Sequence, residues 1–429
     1  MLRFLVGTVP VASYVSPMLP IVDTLVKRGH TVLWYTGELF QADVEAVGAQ
    51  FVAMSNALDF SVIEKVPSSI GQQRESLKGL AQLRFDLKYF FIDHAIGQVQ
   101  DYQLILQDFP ADVLLCDSYF LGAGWIHELG GPPWAQLGTS VLMFPSQDIP
   151  PFGLGLQPTQ SASGRLRDKA LKSMTNLILR GIKADLKSAR EQLGLVDNKE
   201  LFFDTLSPYL HLVTTVPSFE YPRSDLPPQV HFIGPPFLER PQDFEVPSWW
   251  SDLQNDHPII YVTQDTLSTD INDLIVPTIE ALSDKDILSV VTGRHIAANL
   301  AQTPLPSNTR FAPYIPHNQL LPQVNIMVSN GDYRDVQHAL SYGIPLIVAG
   351  QSEDKPEICA RVDWSGVGLN LNTKRPKPQQ VRNAVEEILS NDSYAVKAQQ
   401  LRTEIRQYKP SELAAEYLES MASNVTSTR

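Results

Sequence analysis

The chain has 429 residues, 43% of them hydrophobic and 19% charged, with a formal net charge of -13. That length exceeds one ordinary core and fits two large domains, and the apolar share excludes a chain that stays disordered. The acidic balance excludes nucleic acid and anionic membrane surfaces as main partners, because both need clustered Lys and Arg.

No run of about 18 uninterrupted apolar residues occurs, so membrane insertion is not expected. Cys116 and Cys359 each sit in an apolar run, which predicts buried thiols in a reducing cytoplasmic setting rather than a disulfide. Leu2 to Thr8 is a short apolar run with one early proline beyond it, and it reads as a first strand rather than a leader peptide. After a loop, Leu19, Val22, Leu25 and Val26 recur at helical spacing within Met18 to Arg28, and Gly29 ends that helix. Thr31 to Tyr35 then gives the second strand of a doubly wound parallel sheet, and the same grammar recurs at Asp112 to Cys116 and Trp134 to Leu137.

Between Val216 and Trp250 eight prolines interrupt any regular element. This marks a boundary, with an N-terminal Rossmann-like domain over 1–235 and a C-terminal one over 236–429. The second sheet is expected at Ile259 to Thr263, Leu288 to Thr292, Ile326 to Ser329 and Pro345 to Ala349. A last helical stretch, about Tyr394 to Ser423, is expected to return to the N-terminal half.

The most specific segment runs from Phe311 to Leu369 and includes FAPYIPHNQLLPQVNIMVSNGDYRDVQHALSYGIP and GQSEDKPEICARVDWSGVGL. With PMLPIVDTLVKRGHTVLWYTG, VPSFEYPRSDLP, HFIGP and YVTQDTL in order along the chain, it resembles family-1 glycosyltransferases of the UDP-glycosyltransferase superfamily. The resemblance implies an α/β GT-B fold, two Rossmann-like domains facing each other across a cleft. It also implies a UDP-sugar on the C-terminal domain and a small natural product on the N-terminal one. Phe311 and Pro313 would lie near the base, Asn330 and Gly331 would open the loop over the diphosphate, and Asp354 and Lys355 would contact sugar hydroxyls.

Several positions depart from that pattern. Asp332, Arg334 and Asp335 stand where small residues usually let backbone N–H groups cradle the diphosphate, and Asp265 replaces the usual glycine before Thr266. Two unit charges about 4 Å apart interact by about 4 kcal/mol at an effective dielectric near 20, so an unneutralised carboxylate there opposes a diphosphate. Asp332 or Asp335 also suits a helix N-cap. The family's base, a His in the loop after the first strand, is replaced by Tyr14. Its partner acid is implied at Asp117, which equally suits a cap on the following helix. A tyrosine near its reference pKa of about 10 is a poor base but a fair hydrogen-bond donor, and Tyr14 also fits simple packing. His127, on the helix after Asp117, is a further candidate for the acceptor side.

No group of His, Cys or acids shows metal-ligand spacing, and a Gly-x-Ser-x-Gly elbow is absent. Tyr119, Phe120, Trp125, Phe144 and the Pro150-Pro151 loop point to an apolar acceptor side. The altered positions predict an enzyme of secondary metabolism repurposed to cyclisation, isomerisation or dehydration of a small natural product, without a separate cofactor. The alternatives are an active UDP-sugar-dependent glycosyltransferase on a small hydrophobic acceptor, and a non-catalytic small-molecule-binding pseudoenzyme.

Overall fold

The computed structural model describes residues 1–159, 161–196, 204–238, 244–265, 268–300 and 302–426. Thr266, one of the expected donor positions, lies outside them. The first sheet contains β1 (Arg3–Gly7), β2 (Thr31–Thr36), β3 (Gln50–Ala53), β4 (Val113–Asp117), β5 (Trp134–Gly138), β6 (Leu210–Val213) and β7 (Val230–Phe232). All its pairings are parallel, in the order β3-β2-β1-β4-β5-β6-β7.

The second sheet contains β8 (Ile259–Thr263), β9 (Leu288–Thr292), β10 (Thr309–Ala312), β11 (Ile326–Ser329), β12 (Leu346–Val348) and β13 (Gly368–Asn370). It is likewise parallel, in the order β10-β9-β8-β11-β12-β13. In each sheet the order reverses beside the first strand, at β1/β4 and at β8/β11. In such sheets ligands bind outside the carboxyl ends of the strands at that reversal.

These strands form because both faces are covered. Leu5, Leu33, Tyr35 and Leu114 enter one core, while Phe4, Val6, Trp34 and Leu115 enter the other. Continuous apolar runs, rather than alternating ones, are what such sheets require. Six helices position or brace the cleft: α1 (Ala12–Lys27), α2 (Asp93–Asp108), α3 (Gly122–Glu128), α4 (Tyr333–Tyr342), α5 (Lys355–Trp364) and α6 (Pro410–Thr426).

The first helix begins six residues earlier than its apolar spacing predicts, so Tyr14 sits in its first turn and not in a loop. Pro17 and Pro20 lie inside it. An interior proline costs roughly 3 kcal/mol. Val15, Met18, Leu19, Val22 and Leu25 are buried on the sheet side, each contributing about 1.5–3 kcal/mol, and their sum outweighs the two prolines. Gly29 ends the helix with a φ of 85°, a left-handed geometry that costs glycine little.

The proline-rich stretch contains a regular element after all, the three-residue strand β7. It occupies the sheet's edge, where one unpaired side tolerates flanking prolines. From the far end of the chain, α6 lies against α1, with Ala414, Ala415 and Leu418 in the same core as Phe4 and Val6. Glu419 there meets Arg28 (2.9 Å) and the His30 ring (2.8 Å).

Candidate functional site

The carboxyl ends of the two sheets face each other. At the first sheet's reversal, Asp117 closes β4 and is fully buried. The Val9 N–H donates to its Oδ2 (2.7 Å) and the Tyr119 N–H to its Oδ1 (2.7 Å). Burial pushes its carboxyl up to about 7, against those backbone bonds. Both oxygens thus tie the loops after β1 and β4 together, rather than orienting Tyr14 or capping α3.

The Tyr14 ring leans on Tyr119 at 5.1 Å between centroids, and Tyr119 in turn meets Phe91 at 5.4 Å. Burial, then the neighbouring Tyr119, raises the Tyr14 hydroxyl well above its ordinary range, and the nearby Asp354 adds to this. Tyr14 is therefore not a base near neutral pH. Of the other aromatic residues expected on the acceptor side, Phe120 packs against Tyr35 and Tyr102, and Trp125 belongs to the core. Phe144 stacks under the Arg223 guanidinium at 4.6 Å.

His127 does not belong to this site. Helix α3 runs back from the carboxyl edge, so its last turn reaches the opposite edge of the sheet. There the His127 Nδ1 contacts the Pro132 carbonyl (3.0 Å) and its ring meets Tyr209 (5.3 Å).

Across the cleft, α4 begins behind Gly331, whose φ of 84° turns the chain from β11 into the helix. A Cβ at Gly331 would stand 2.6 Å from the Cys359 sulfur, so close packing also requires glycine there. Asn330 faces the loop after β8: its Oδ1 accepts from the Asp265 N–H (3.4 Å) and its Nδ2 donates to Ser268 Oγ (3.0 Å). Phe311, near the end of β10, is partly buried against the core beneath, and its carbonyl accepts from the Trp249 indole (3.3 Å). Arg334 is exposed.

The carboxylates of this seat are not equivalent. Asp265 pairs with Lys355 at 2.8 Å, which holds it below the usual range although burial opposes this. Lys355 also contacts Glu353. Asp332 caps α4, accepting from the Asp335 N–H (3.1 Å), and is raised mainly by burial. Burial, then the Asp332 charge, pushes Asp335 up to about 8, while Thr263 Oγ1 donates to its Oδ2 (3.4 Å).

Burial thus favours the protonated form of Asp335, which presents an O–H donor, the function a threonine hydroxyl would serve at a phosphate. With Asp265 neutralised by Lys355, the residues present are compatible with the diphosphate that the resemblance implies. They would hold it through Asp335 in its protonated form and the loop around Gly331, and the diphosphate would supply the leaving group of a sugar transfer.

Two groups without any signal in local sequence spacing join the halves. The Ser140 hydroxyl, just beyond β5, donates to Asp354 Oδ2 on the opposite half, and Asp354 is only half-buried. Glu357 Oε1 accepts the N–H groups of Gly153 (2.9 Å), Leu154 (3.0 Å) and Gly155 (2.9 Å). Its other oxygen meets Arg361 (3.2 Å), which pairs with Glu220 (2.6 Å) while lying over the Tyr221 ring at 4.1 Å. Arg361 inside the apolar run ICARV was the available hint of the second group, since a buried guanidinium needs a carboxylate partner. Among the described residues no group of acids, His and Cys could hold a metal ion, and no helix is long and apolar enough to cross a membrane.

Residues 278–421 match the family model described as the C-terminal domain of erythromycin biosynthesis protein CIII-like proteins. The chain is 40% identical to 4'-demethylrebeccamycin synthase of Lentzea aerocolonigenes, over 94% of this chain and 95% of that one. It is 32% identical to UDP-glycosyltransferase 2 of Phaeomoniella chlamydospora, over 98% of this chain and 94% of that one. Among solved structures, the calicheamicin glycosyltransferase CalG4 superposes with a TM-score of 0.74 at 19% identity, covering 99% of both chains. The glycosyltransferase of kitacinnamycin gives the same TM-score at 22% identity and 98% coverage of each. The chain belongs to the UDP-glycosyltransferase superfamily, as a family-1 glycosyltransferase of the GT-B fold.

Proposed function

We propose that the protein is a nucleotide-sugar-dependent glycosyltransferase of natural-product biosynthesis. It takes a sugar from a UDP-type donor on the second half and transfers it to a small aromatic acceptor on the first. The observation that carries this reading is the full-length relation, at 32% and 30% identity, to enzymes named UDP-glycosyltransferase 2 and UDP-glucosyltransferase 1. The site supports it: a diphosphate-compatible seat faces the partly buried Tyr14 and Phe91, backed by the buried Tyr119, across the Ser140–Asp354 contact. An aromatic wall favours a flat, partly apolar acceptor.

This corrects the cyclisation, isomerisation or dehydration expected from the altered loops. That expectation read Asp265, Asp332 and Asp335 as charges or caps that displace a diphosphate, whereas full-length relatives are named as glycosyltransferases; Asp265 is paired with Lys355, Asp332 caps α4 as expected, and burial raises Asp335 toward its neutral form. The same geometry weakens the pseudoenzyme alternative.

The test is incubation of the purified protein with UDP-glucose and hydroxylated aromatic acceptors at pH 7, read by mass spectrometry. The expected result is a product heavier by one hexose and release of UDP. No transfer to any acceptor, combined with no calorimetric binding of UDP at millimolar concentration, would overturn the reading.

A further inference from the structure

We propose that Asp354, on the second half, is the group that removes the proton from the acceptor hydroxyl, in place of the missing loop histidine. The inference rests on the transferase reading and assigns this carboxylate a task other than the sugar contact implied by family resemblance.

The other titratable groups near the rim of β1 and β4 are unsuited to that task. Tyr14 and Tyr119 are raised by burial, so neither phenol accepts a proton from an alcohol near neutral pH. The Asp117 carboxylate is 0% exposed, with each oxygen bound to a backbone N–H. His211, reached from β6, is buried, its Nδ1 bound to Gln136 Oε1 (2.9 Å). Burial and then Arg223 push it down to about 3. His94, on α2, is 4% exposed and pushed down to about 4 by burial. His127 is at the far edge of the sheet.

Asp354 differs from all of these. It enters the cleft from the start of α5, is held across the gap by the Ser140 hydroxyl and remains half-buried. An acceptor resting on Tyr14, which lies near Asp354, would meet it with the donor seat alongside. Its neighbours are Glu353 and Lys355 on its own segment, Cys359 within α5, Asp332 at the cap of α4, Tyr14 on α1, Tyr119 after β4 and Ser140 after β5. Lys355 is turned toward Asp265 and Glu353. Burial raises Asp354 from the usual carboxylate value, the direction that favours a general base, while Ser140 and Lys355 oppose the rise.

In the step, the acceptor O–H bond breaks and its proton passes to an Asp354 oxygen. The acceptor oxygen then bonds to the anomeric carbon. The anomeric C–O bond to the diphosphate breaks, and that electron pair leaves with the nucleotide.

The experiment uses the full chain with a donor and acceptor pair that the unmodified protein turns over. Asp354→Asn is expected to lower kcat about a hundredfold or more, the usual range for a lost general base, while calorimetric affinity for UDP changes by less than about threefold. Ser140→Ala removes a bond that favours the ionised carboxylate, so the acidic limb of the pH dependence of kcat/KM is expected to move to higher pH. A merely structural contact leaves that limb in place.

The proposal is overturned if Asp354→Asn keeps more than about a tenth of the parent kcat, or if the acidic limb does not move in Ser140→Ala. The second readout stands even where Asp354→Asn fails to fold. Absence of transfer by the unmodified protein is a separate result, which removes the transferase reading together with this proposal.

Discussion

The two walls of the cleft solve the problem of buried charge in opposite ways. On the first half, the acid at the reversal point, Asp117, has both oxygens bound to backbone amides, and the rest of the wall is aromatic. On the second half, Asp332, Asp335 and Asp354 are raised by burial as Asp117 is, and of Asp265, Asp332, Asp335 and Asp354 the first is the one paired with a lysine. A carboxylate that spends its lone pairs on backbone amides fixes loops, whereas one whose burial is less fully compensated stays open to protons and ligands. On the proposed transferase reading, proton and anion chemistry belong to the second wall and acceptor binding to the first.

The strongest way to break this comparison is to release the contact that keeps the walls facing. Arg361 is 1% exposed and joins Glu357, which holds the 153–155 loop, to Glu220. Arg361→Ala leaves two buried carboxylates without their shared cation, which typically costs about 3–5 kcal/mol. Denaturant unfolding should show that loss, with sugar transfer falling alongside it. A change below about 1 kcal/mol would mean the clasp is not what joins the halves.

The next test separates the donor-facing acids from ordinary surface carboxylates. With Asp335 near pKa 8, the seat is competent for a diphosphate when this group holds its proton, so nucleotide affinity should fall as pH rises. For one such proton the apparent Kd grows by about tenfold between pH 7 and 9. Calorimetry with UDP across that range checks it, and Asp335→Thr should flatten the dependence. Folding follows the same sign. Asp335 is raised above its unfolded value of 3.8, so its contribution to stability is fully present below that pH and is lost as pH rises through about 8. Stability that rises over this interval in the parent, relative to Asp335→Thr, would contradict the assignment.

These contrasts were only partly legible in the sequence. Ile259 to Thr263 and Ile326 to Ser329 match β8 and β11 residue for residue, because strands buried on both faces appear as uninterrupted apolar runs. The start of α1 did not, because Pro17 and Pro20 mask a helix held by tertiary burial. The donor positions followed from the family motif, but Ser140 with Asp354 and Glu220 with Arg361 are 214 and 141 residues apart. No local spacing reveals such pairs. His127 illustrates the converse: a suitable residue near a suitable acid, carried to the wrong edge by the direction of its helix.

The smallest effect is expected at the residue that replaces the family's base. If Tyr14 were the proton acceptor, Tyr14→Phe would cost about a hundredfold or more in kcat. Its hydroxyl is raised by burial, and the ring is held by contact with Tyr119, which phenylalanine preserves. Only one neutral hydrogen bond to the acceptor can be lost, worth about 0.5–1.5 kcal/mol, so kcat/KM should fall by no more than about tenfold. The shape of the pH profile should stay the same, because the titrating group lies on the other wall. A hundredfold loss accompanied by disappearance of a pH limb would instead place proton transfer on the first wall, and the division of labour between the two faces would fail.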